Sequence, residues 1–517
     1  MKAQKTFLFI FIITCIFSCL KKSIKVDILI KNGIVFSGID SIPRYVSIAI
    51  KDDKIIFIGD ATKTKISPTK TIDANGLIVS PGFIDPHTHA DEDLADAKQS
   101  HNQPFLFQGV TTVVVGNDGN SLFPTSKYKD LFKNNGIGTN AVLLVGHGTI
   151  RKQVMGNSDE LATDIDIEKM QNLIQQEMDA GAFGMSTGLF YAPGSYSNTK
   201  EIIALAKIVA KNDGIYDTHL RDESSFTNGL IPAIEEAIEI GRQAKLPIHI
   251  SHIKCLGIDV WNQSNAVIQL IENAQKEGIE ITANQYPYEA SATGLKSAVV
   301  PRWAESGGKD SLFIRYNNPK LRNKILADTK ANITRRGGPD KLLIIKAVDS
   351  AIVGENLLEI SKALNISPEE AVFKIIATGY VKVASFNMNI NDITNFMKQD
   401  WVVTGSDGGS GHPRKYGSFP RKYRKYVIED KIIDLASFIN NSSAKTAEIY
   451  KIPNRGKLIE GYYADIIIFN PQTFKDKADY IDAFQFAEGL VCSIINGKIS
   501  IEEGVFLDAM NGKILTK

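Results

Sequence analysis

A small set of histidines and aspartates in this sequence directly follows short apolar runs. Two of the histidines are separated by a single residue in the segment DPHTH, and the two aspartates lie in the glycine-rich turns GNDG and GSDG. Imidazole nitrogens and carboxylate oxygens together form a donor set that suits zinc, and a site with an open position can activate water. These residue types therefore indicate metal-assisted hydrolysis, with six candidate ligands: His87, His89, Asp118, His219, His252 and Asp407.

Each of these residues also has a simpler interpretation. A histidine pair after a strand is often incidental, and a single aspartate after a strand is often a helix N-cap. His147 is a candidate for a hydrogen-bonding or substrate-contacting residue, whereas His101 and His249 are interpreted as structural. Cys255 is interpreted as a core thiol rather than as a soft metal ligand. The metal hypothesis depends on the shared position of the six candidates, all at predicted strand ends.

The elements that must position these residues form an alternation of apolar strands and amphipathic helices. Eight predicted strands separated by helices imply a parallel sheet closed into an α/β (β/α)8 barrel. Active sites of such barrels lie at the carboxyl ends of the strands, where all six candidates are found. The predicted strands are residues 77–84, 111–115, 140–145, 183–187, 215–218, 247–250, 279–283 and 401–404.

Both ends of the chain have a different pattern, with short strands and the hairpin-forming dipeptide Asn-Gly at residues 32–33 and 496–497. Each end alone has too few strands for a stable core, so we expect one small β-sandwich built from residues 25–79 and 455–517. Residues 80–454 then form the barrel. Residues 290–348 interrupt the alternation and are predicted to be an inserted subdomain between strands seven and eight.

Composition excludes several classes of protein. The chain has 517 residues, 23% of them charged, a formal net charge of +1 and four cysteines. These values are typical of a globular protein; they give no electrostatic footprint for nucleic acid and no disulfide scaffold.

The first residues resemble a bacterial lipoprotein signal. Lys2 and Lys5 precede an apolar run at residues 7–17, which is too short to span a bilayer, and the segment IFSC ends at Cys19. We therefore expect residues 1–19 to be a signal peptide with lipidation of Cys19. The mature protein would then be attached outside the cytoplasm, on the periplasmic side or at the cell envelope, through the lipid anchor only. The alternative is an ordinary secretory signal that is cleaved nearby.

The sequence resembles the D-aminoacylase (N-acyl-D-amino-acid deacylase) family of the amidohydrolase superfamily over nearly the whole mature chain. No single motif carries the likeness, but the ordered set is specific. The motifs are SPGFIDPHTHAD (80–91), GVTTVVVGNDGNS (109–121), GLFYAPGSYSNTKEI (188–202), THLRDE (218–223), ISHIKCLG (250–257), NQYPYEAS (284–291), GSDGG (405–409), GHPRKYGSFPR (411–421) and RGKLIEGYYADIIIFNP (455–471).

The resemblance implies roles for the individual residues. His219 and His252 would hold the principal zinc, and His87 and His89 with Asp407 would form a second, weaker position for a divalent metal. Asp407 would also be the catalytic acid and base. Residues that resemble the family's binders of the substrate carboxylate are Tyr191, Lys254 and Tyr286, and Arg414 is a further candidate because a guanidinium can bind a carboxylate through two hydrogen bonds.

One residue departs from the family pattern. Better-known members carry a cysteine ligand where this chain has Asp118. A carboxylate can still bridge two cations, but it is a harder ligand than a thiolate. We therefore expect the substitution to alter metal preference or to increase the dependence on a second metal.

The implied activity is zinc-dependent hydrolysis of N-acyl-D-amino acids, with hydroxide generated at zinc attacking the amide to release a carboxylate and a D-amino acid. Dipeptide-like amides are alternative substrates. A hydrolase of cyclic amides, of the hydantoinase or dihydroorotase type, is a second alternative, although residues 183–187 lack the lysine that such enzymes use between their metals. The non-enzyme alternative is a lipoprotein that binds a ligand on an amidohydrolase scaffold that has lost its catalytic activity. The sequence gives no oligomeric state.

Overall fold

The computed structural model describes residues 23–517, and Cys19 with the predicted signal lies outside this range. Eight parallel strands, here called barrel strands 1 to 8, form one sheet in sequential order, which confirms the predicted fold class. Nearly all of their residues are buried, as expected for strands covered on both faces. They are Phe83–Asp85, Val110–Val115, Asn140–Gly146, Gly184–Gly188, Ile215–His219, Ile248–Ile250, Ile281–Gln285 and Val402–Thr404.

Barrel strands 8 and 1 are the two ends of this sheet, and they meet only beyond their carboxyl ends. Thr88 and Gly408 form an isolated parallel bridge. The amide of Asp407 donates to the carbonyl of His87 at 2.9 Å, and the amide of His89 donates to the carbonyl of Gly408 at 3.0 Å. This seam therefore lies directly at three of the candidate ligands.

Helices surround the barrel and pack amphipathic faces against it. Thr163 and Asp166 form a capping box at the start of one of them, and Asn198 caps another. The helices are Asp91–Ala95, Gln103–Leu106, Thr125–Asn135, His147–Met155, Asp164–Asp179, Thr199–Lys211, Leu230–Ala244, Ser264–Lys276, Ile390–Met397, Arg414–Arg421, the π-helix Lys422–Glu429, Leu435–Ser442 and Ala444–Ile449.

Two sheets from the chain ends enclose a common apolar core, to which Ile28, Ile50, Val79 and Ile466 contribute. One sheet is local, and the other combines strands from both ends of the chain. The local sheet contains Ile24–Lys31, Ser47–Lys51, Lys54–Gly59 and Ile66–Asp73. The mixed sheet contains Ile34–Val35, Ile78–Pro81, Ile466–Phe469, Leu490–Ile495, Lys498–Glu502 and Val505–Phe506.

The inserted subdomain is larger than the predicted residues 290–348. Its three-stranded antiparallel sheet ends at Phe386, because the strand Lys382–Phe386 pairs with both other strands. A separate core fills the space between this sheet and its helices. The elements are the strands Ala290–Gly294, Leu342–Lys346 and Lys382–Phe386, and the helices Leu295–Val299, Arg302–Glu305, Lys309–Asn317, Pro319–Arg335, Leu357–Ala363 and Pro368–Thr378.

Two predicted boundaries also differ. Residues 77–84 were expected to form one strand, but Ile78–Pro81 pairs with Ile466–Phe469 in the sandwich and Phe83–Asp85 begins the barrel. Gly82 permits the change of sheet, since a Cβ there would lie 2.2 Å from Thr111 Oγ1. The last residues lie against the barrel rather than in the sandwich, where Leu515 donates its amide to Ala141. Among the described helices, none has the length and apolarity needed to cross a bilayer.

Candidate active site

A cavity of about 690 Å³ opens at the carboxyl ends of the barrel strands. The barrel loops supply one side of its wall, including His89, Asp118, His219, His252 and Asp407. The inserted subdomain supplies the opposite side. The position agrees with the general location of active sites in this fold.

The six candidate ligands come together in this cavity as two overlapping groups. One group is His87, His89, Asp118 and Asp407, and the other is Asp118, His219 and His252; within each group the donor atoms lie within 4.8 Å of one another. Asp118 belongs to both. Its Oδ1 lies 3.4 Å from His87 Nε2, 3.5 Å from His219 Nδ1 and 3.4 Å from His252 Nε2. Its Oδ2 lies 3.6 Å from His89 Nε2.

Several of these donor atoms are buried without a hydrogen-bond partner. They are both ring nitrogens of His87, Asp118 Oδ1 and His219 Nδ1. Buried polar atoms are normally satisfied, so unsatisfied nitrogens and oxygens that converge on one point call for a cation. The nitrogen and oxygen donor set fits zinc or a similar divalent ion.

Three of the six candidates have left-handed backbone conformations, with φ of 56° at Asp118, 35° at His252 and 50° at Asp407. This region is uncommon outside glycine, although aspartate and histidine tolerate it better than most residues. Neighbouring strands hold the conformation: the amide of His252 donates to Asn284 Oδ1 at 2.9 Å. Such strain is typical of sites that must aim a side chain precisely.

Burial and the neighbouring charged groups shift the pKa values of the ionisable side chains in the cluster. Burial alone would raise the pKa of Asp407, but the Arg414 guanidinium and the neighbouring imidazoles outweigh it and hold that pKa well below its usual value. The pKa of Asp118 is lowered in the same way by His87 and His219. Burial lowers the pKa of His87 to about 4, so its ring is neutral and available as a ligand at pH 7.

Glu223 belongs to the site, although the sequence analysis did not select it. Its Oε1 lies 3.0 Å from His252 Nδ1 and 2.6 Å from Lys254 Nζ, and its Oε2 lies 3.6 Å from His219 Nε2. The carboxylate therefore orients both imidazoles from behind, an arrangement that is common for histidine ligands. The only available signal was its place in THLRDE, where nothing local distinguishes it from Asp222.

We expect the substitution Glu223→Gln to destabilise the protein by about 3–5 kcal/mol, because it leaves the buried Lys254 ammonium without its counter-ion. The double substitution Glu223→Gln with Lys254→Met should recover a large part of the loss. Urea denaturation of the two single variants, the double variant and the parent protein measures this coupling. If the losses of unfolding free energy in the two single variants simply add up in the double variant, the two residues are not coupled.

The predicted substrate-binding residues occupy different positions. Tyr191, Lys254 and Tyr286 line the cavity. Tyr191 Oη lies 3.2 Å from Thr293 Oγ1 of the inserted subdomain. Arg414 instead pairs with Asp407, with 2.7 Å between Nη2 and Oδ1, and its side chain is buried.

Three further histidines and Cys255 are not among the converging donor groups. His147 Nε2 is 2.8 Å from Glu201 Oε1 in a buried pair, and His249 contacts Thr282 and Asn284. His101 Nδ1 accepts the amide of Gln103. Cys255 is buried in the apolar core of the barrel, and burial raises the pKa of its thiol.

The inserted subdomain adds positive charge to the cavity wall through Arg336, Lys346 and Lys382. Arg336 is buried, and its Nε donates to the carbonyl of Ala298 at 2.9 Å. Burial lowers the pKa of Lys382 to about 8, so its amine still carries a charge at pH 7. None of these cations was identified from the sequence.

Comparison with known proteins places this geometry in context. A profile described as the amidohydrolase family matches residues 70–307. A D-aminoacylase of Alcaligenes xylosoxydans xylosoxydans is 29% identical over 95% of this chain and 98% of its own length.

Two solved structures are similar over the same extent. The N-acyl-D-glutamate deacylase of Bordetella bronchiseptica, complexed with zinc and a phosphonate mimic of the tetrahedral intermediate, superposes with a TM-score of 0.83 at 26% identity, covering 95% of this chain and all of the other. A D-aminoacylase studied for its binuclear metal centre gives a TM-score of 0.83 at 28% identity with the same coverage. Residues 70–307 therefore form an amidohydrolase-family domain, and over almost its whole length the chain is similar in sequence and in fold to D-aminoacylases and N-acyl-D-amino-acid deacylases.

Proposed function

We propose that the protein hydrolyses the amide bond of N-acyl-D-amino acids, releasing a carboxylate and a D-amino acid, in a zinc-dependent reaction. The observation that carries the proposal is the cluster centred on Asp118, in which four imidazoles and two carboxylates converge inside the cavity. A D-aminoacylase and an N-acyl-D-glutamate deacylase resemble the chain over 95% of its length, which favours linear over cyclic amides as substrates.

The residues present fit a divalent metal. His219 and His252 would hold one ion together with Asp118, and His87, His89 and Asp407 would complete a second position with the same aspartate. Zinc, when bound, supplies polarisation of a carbonyl and lowers the pKa of water to about 7.

Asp407 is the group that moves the proton. Its carboxylate lies on the cavity wall, ionised, with Oδ1 3.1 Å from His89 Nε2. In that state it can accept a proton from the attacking water and return it to the leaving nitrogen. Arg414 contacts the same oxygen and keeps the carboxylate charged and oriented before each turnover.

Lys254, Tyr191 and Tyr286 orient the substrate from the cavity wall. The Lys254 ammonium is fixed by Glu223 and by the carbonyl of His252 at 2.7 Å, so its position costs little entropy when a carboxylate approaches. The phenol of Tyr191 stays protonated, because burial raises its pKa, and can donate a hydrogen bond to an acyl or carboxylate oxygen.

The test is an assay of the purified protein with N-acetyl-D-amino acids, their L-enantiomers and cyclic ureides. We expect turnover of the D-series only, loss of activity on dialysis against a chelator, and recovery on addition of zinc. Zinc content per chain, measured in the same samples, should follow activity. Turnover of hydantoin or dihydroorotate in place of the linear amides would contradict the proposal.

We also propose that the protein is attached to the cell envelope, outside the cytoplasm, through a lipid on Cys19. The support is the sequence alone: a basic start, a short apolar run and the segment IFSC. Labelling of bacteria with an alkyne fatty acid should mark the parent protein but not the Cys19→Ser variant. An unlabelled parent protein that is recovered in the soluble fraction would contradict the anchor.

A further inference from the structure

The cations expected to bind the substrate carboxylate already have acidic partners in the protein. Lys254 Nζ lies 2.6 Å from Glu223 Oε1, and Arg414 Nη2 lies 2.7 Å from Asp407 Oδ1. Lys415, also on the cavity wall, is paired with Asp93. Any positive charge of the cavity wall that is not paired with a carboxylate therefore lies elsewhere.

That charge is on the inserted subdomain. Lys346 and Lys382 both line the cavity, and among residues 23–517 no carboxylate oxygen lies within 4.0 Å of either amine. Lys346 is exposed and Lys382 is half-buried. Arg336, deeper in the wall, has a carbonyl and the hydroxyl of Ser385 as partners, so it also contributes a net charge.

The two lysines are neighbours on adjacent strands of the subdomain sheet. They are register partners on the antiparallel strands Leu342–Lys346 and Lys382–Phe386, next to a β-bulge between Ile344 and Lys346. Like charges at paired positions of adjacent strands destabilise a sheet. An anion bound between them would remove this repulsion.

The lysine pair is also close to the metal-binding cluster. A Cβ placed on Gly409 would lie 2.6 Å from Lys382 Nζ and 3.5 Å from His89 Cδ2, so the ammonium and the imidazole flank the same point. A glycine at this position leaves room for Lys382 to reach the cluster. A group bound to Lys382 is therefore within reach of a substrate whose amide lies at the cluster.

We propose that Lys346 and Lys382 bind a second carboxylate of the substrate, so that the preferred substrates are N-acyl-D-amino acids that are dicarboxylates. The inference rests on the proposed function and specifies its substrate class. The second carboxylate belongs either to the amino-acid side chain or to a dicarboxylic acyl group. In both cases the first carboxylate is the α-carboxylate that Lys254, Tyr191 and Tyr286 face.

Isosteric substrate pairs test this directly. One arm compares N-acetyl-D-glutamate with N-acetyl-D-glutamine, and the other compares N-succinyl-D-leucine with N-succinamoyl-D-leucine. We expect kcat/KM to be about 10- to 100-fold higher for the charged member of one arm, which is the range of a hydrogen bond to a charged group. The arm that responds identifies the source of the carboxylate. Equal values in both arms would overturn the proposal.

The variants Lys382→Met and Lys346→Met should abolish this preference, because kcat/KM for the charged substrate should fall about 10- to 100-fold toward the value for the neutral one. Lys374→Met, on an exposed face of the same subdomain, is the matched control. If either variant lowers kcat/KM equally for the charged and the neutral substrate, the lysines do not bind the second carboxylate. Absence of deacylation of every N-acyl-D-amino acid would instead reject the proposed function, so the two failures are distinguishable.

Discussion

The substitution Asp407→Asn is expected to reduce kcat by about 10²–10⁴-fold, which is the range for loss of a positioned acid or base. The amide retains the size of the carboxylate but cannot accept a proton from water. It can still donate and accept hydrogen bonds beside His89 and Arg414, but it leaves the buried Arg414 guanidinium without its counter-ion. We therefore expect the variant to fold but to be less stable than the parent protein, which urea denaturation measures. Single-turnover kinetics, with the enzyme in excess over an N-acetyl-D-amino acid, measures the chemical step.

Zinc content distinguishes this effect from loss of the metal. His219, His252 and Asp118 are unchanged in the variant, so at least one zinc per chain should remain. Asp400→Asn, an exposed aspartate just before barrel strand 8, is the control and should retain full activity. Activity within tenfold of the parent protein at full zinc content would remove Asp407 from its proposed role.

The substitution Asp118→Asn should have the second large effect, because Asp118 is the one residue shared by both ligand groups. Asparagine tolerates the left-handed backbone conformation at this position, so the change removes a charge with little strain. A unit charge about 4 Å from a cation contributes ~4 kcal/mol at an effective dielectric constant of 20. We therefore expect zinc affinity to fall on the order of 10³-fold for each unit charge of the ion.

Asp118→Cys is the informative companion, since it introduces the ligand type of the better-known family members. It should retain zinc and shift preference from manganese and cobalt toward zinc and cadmium, because a thiolate is the softer ligand. Competition titrations with a chromogenic chelator measure both variants. Unchanged zinc affinity in Asp118→Asn would show that the carboxylate is not a ligand.

The fold class could be predicted because eight apolar runs alternate with helices at regular spacing, a pattern that depends only on local sequence. Asp118 and Asp407 could be selected because each lies in a glycine-rich turn at a strand end. Glu223 could not be selected in this way, since its function depends on His252 and Lys254 folding back onto it. Contacts of this kind are tertiary and leave no local pattern.

The inserted subdomain shows the same limit on a larger scale. Its helices Leu357–Ala363 and Pro368–Thr378, with the strand Lys382–Phe386, have the spacing of further barrel units, so its end was predicted too early. Pairing of that strand with Ala290–Gly294 is what assigns it to the subdomain. The pairing of Lys382 with Lys346, and hence the positive wall, follows from the same long-range contact.

The seam between barrel strands 8 and 1 gives the two metal positions unequal mechanical roles. His87 and His89 follow the first strand and Asp407 follows the last, and few backbone hydrogen bonds join these ends. An ion held by these three residues would link the two ends of the barrel sheet. An ion at His219 and His252 would instead link neighbouring strands that backbone hydrogen bonds already join. An ion at His87, His89 and Asp407 would therefore stiffen the cavity entrance, and its removal would let the entrance widen.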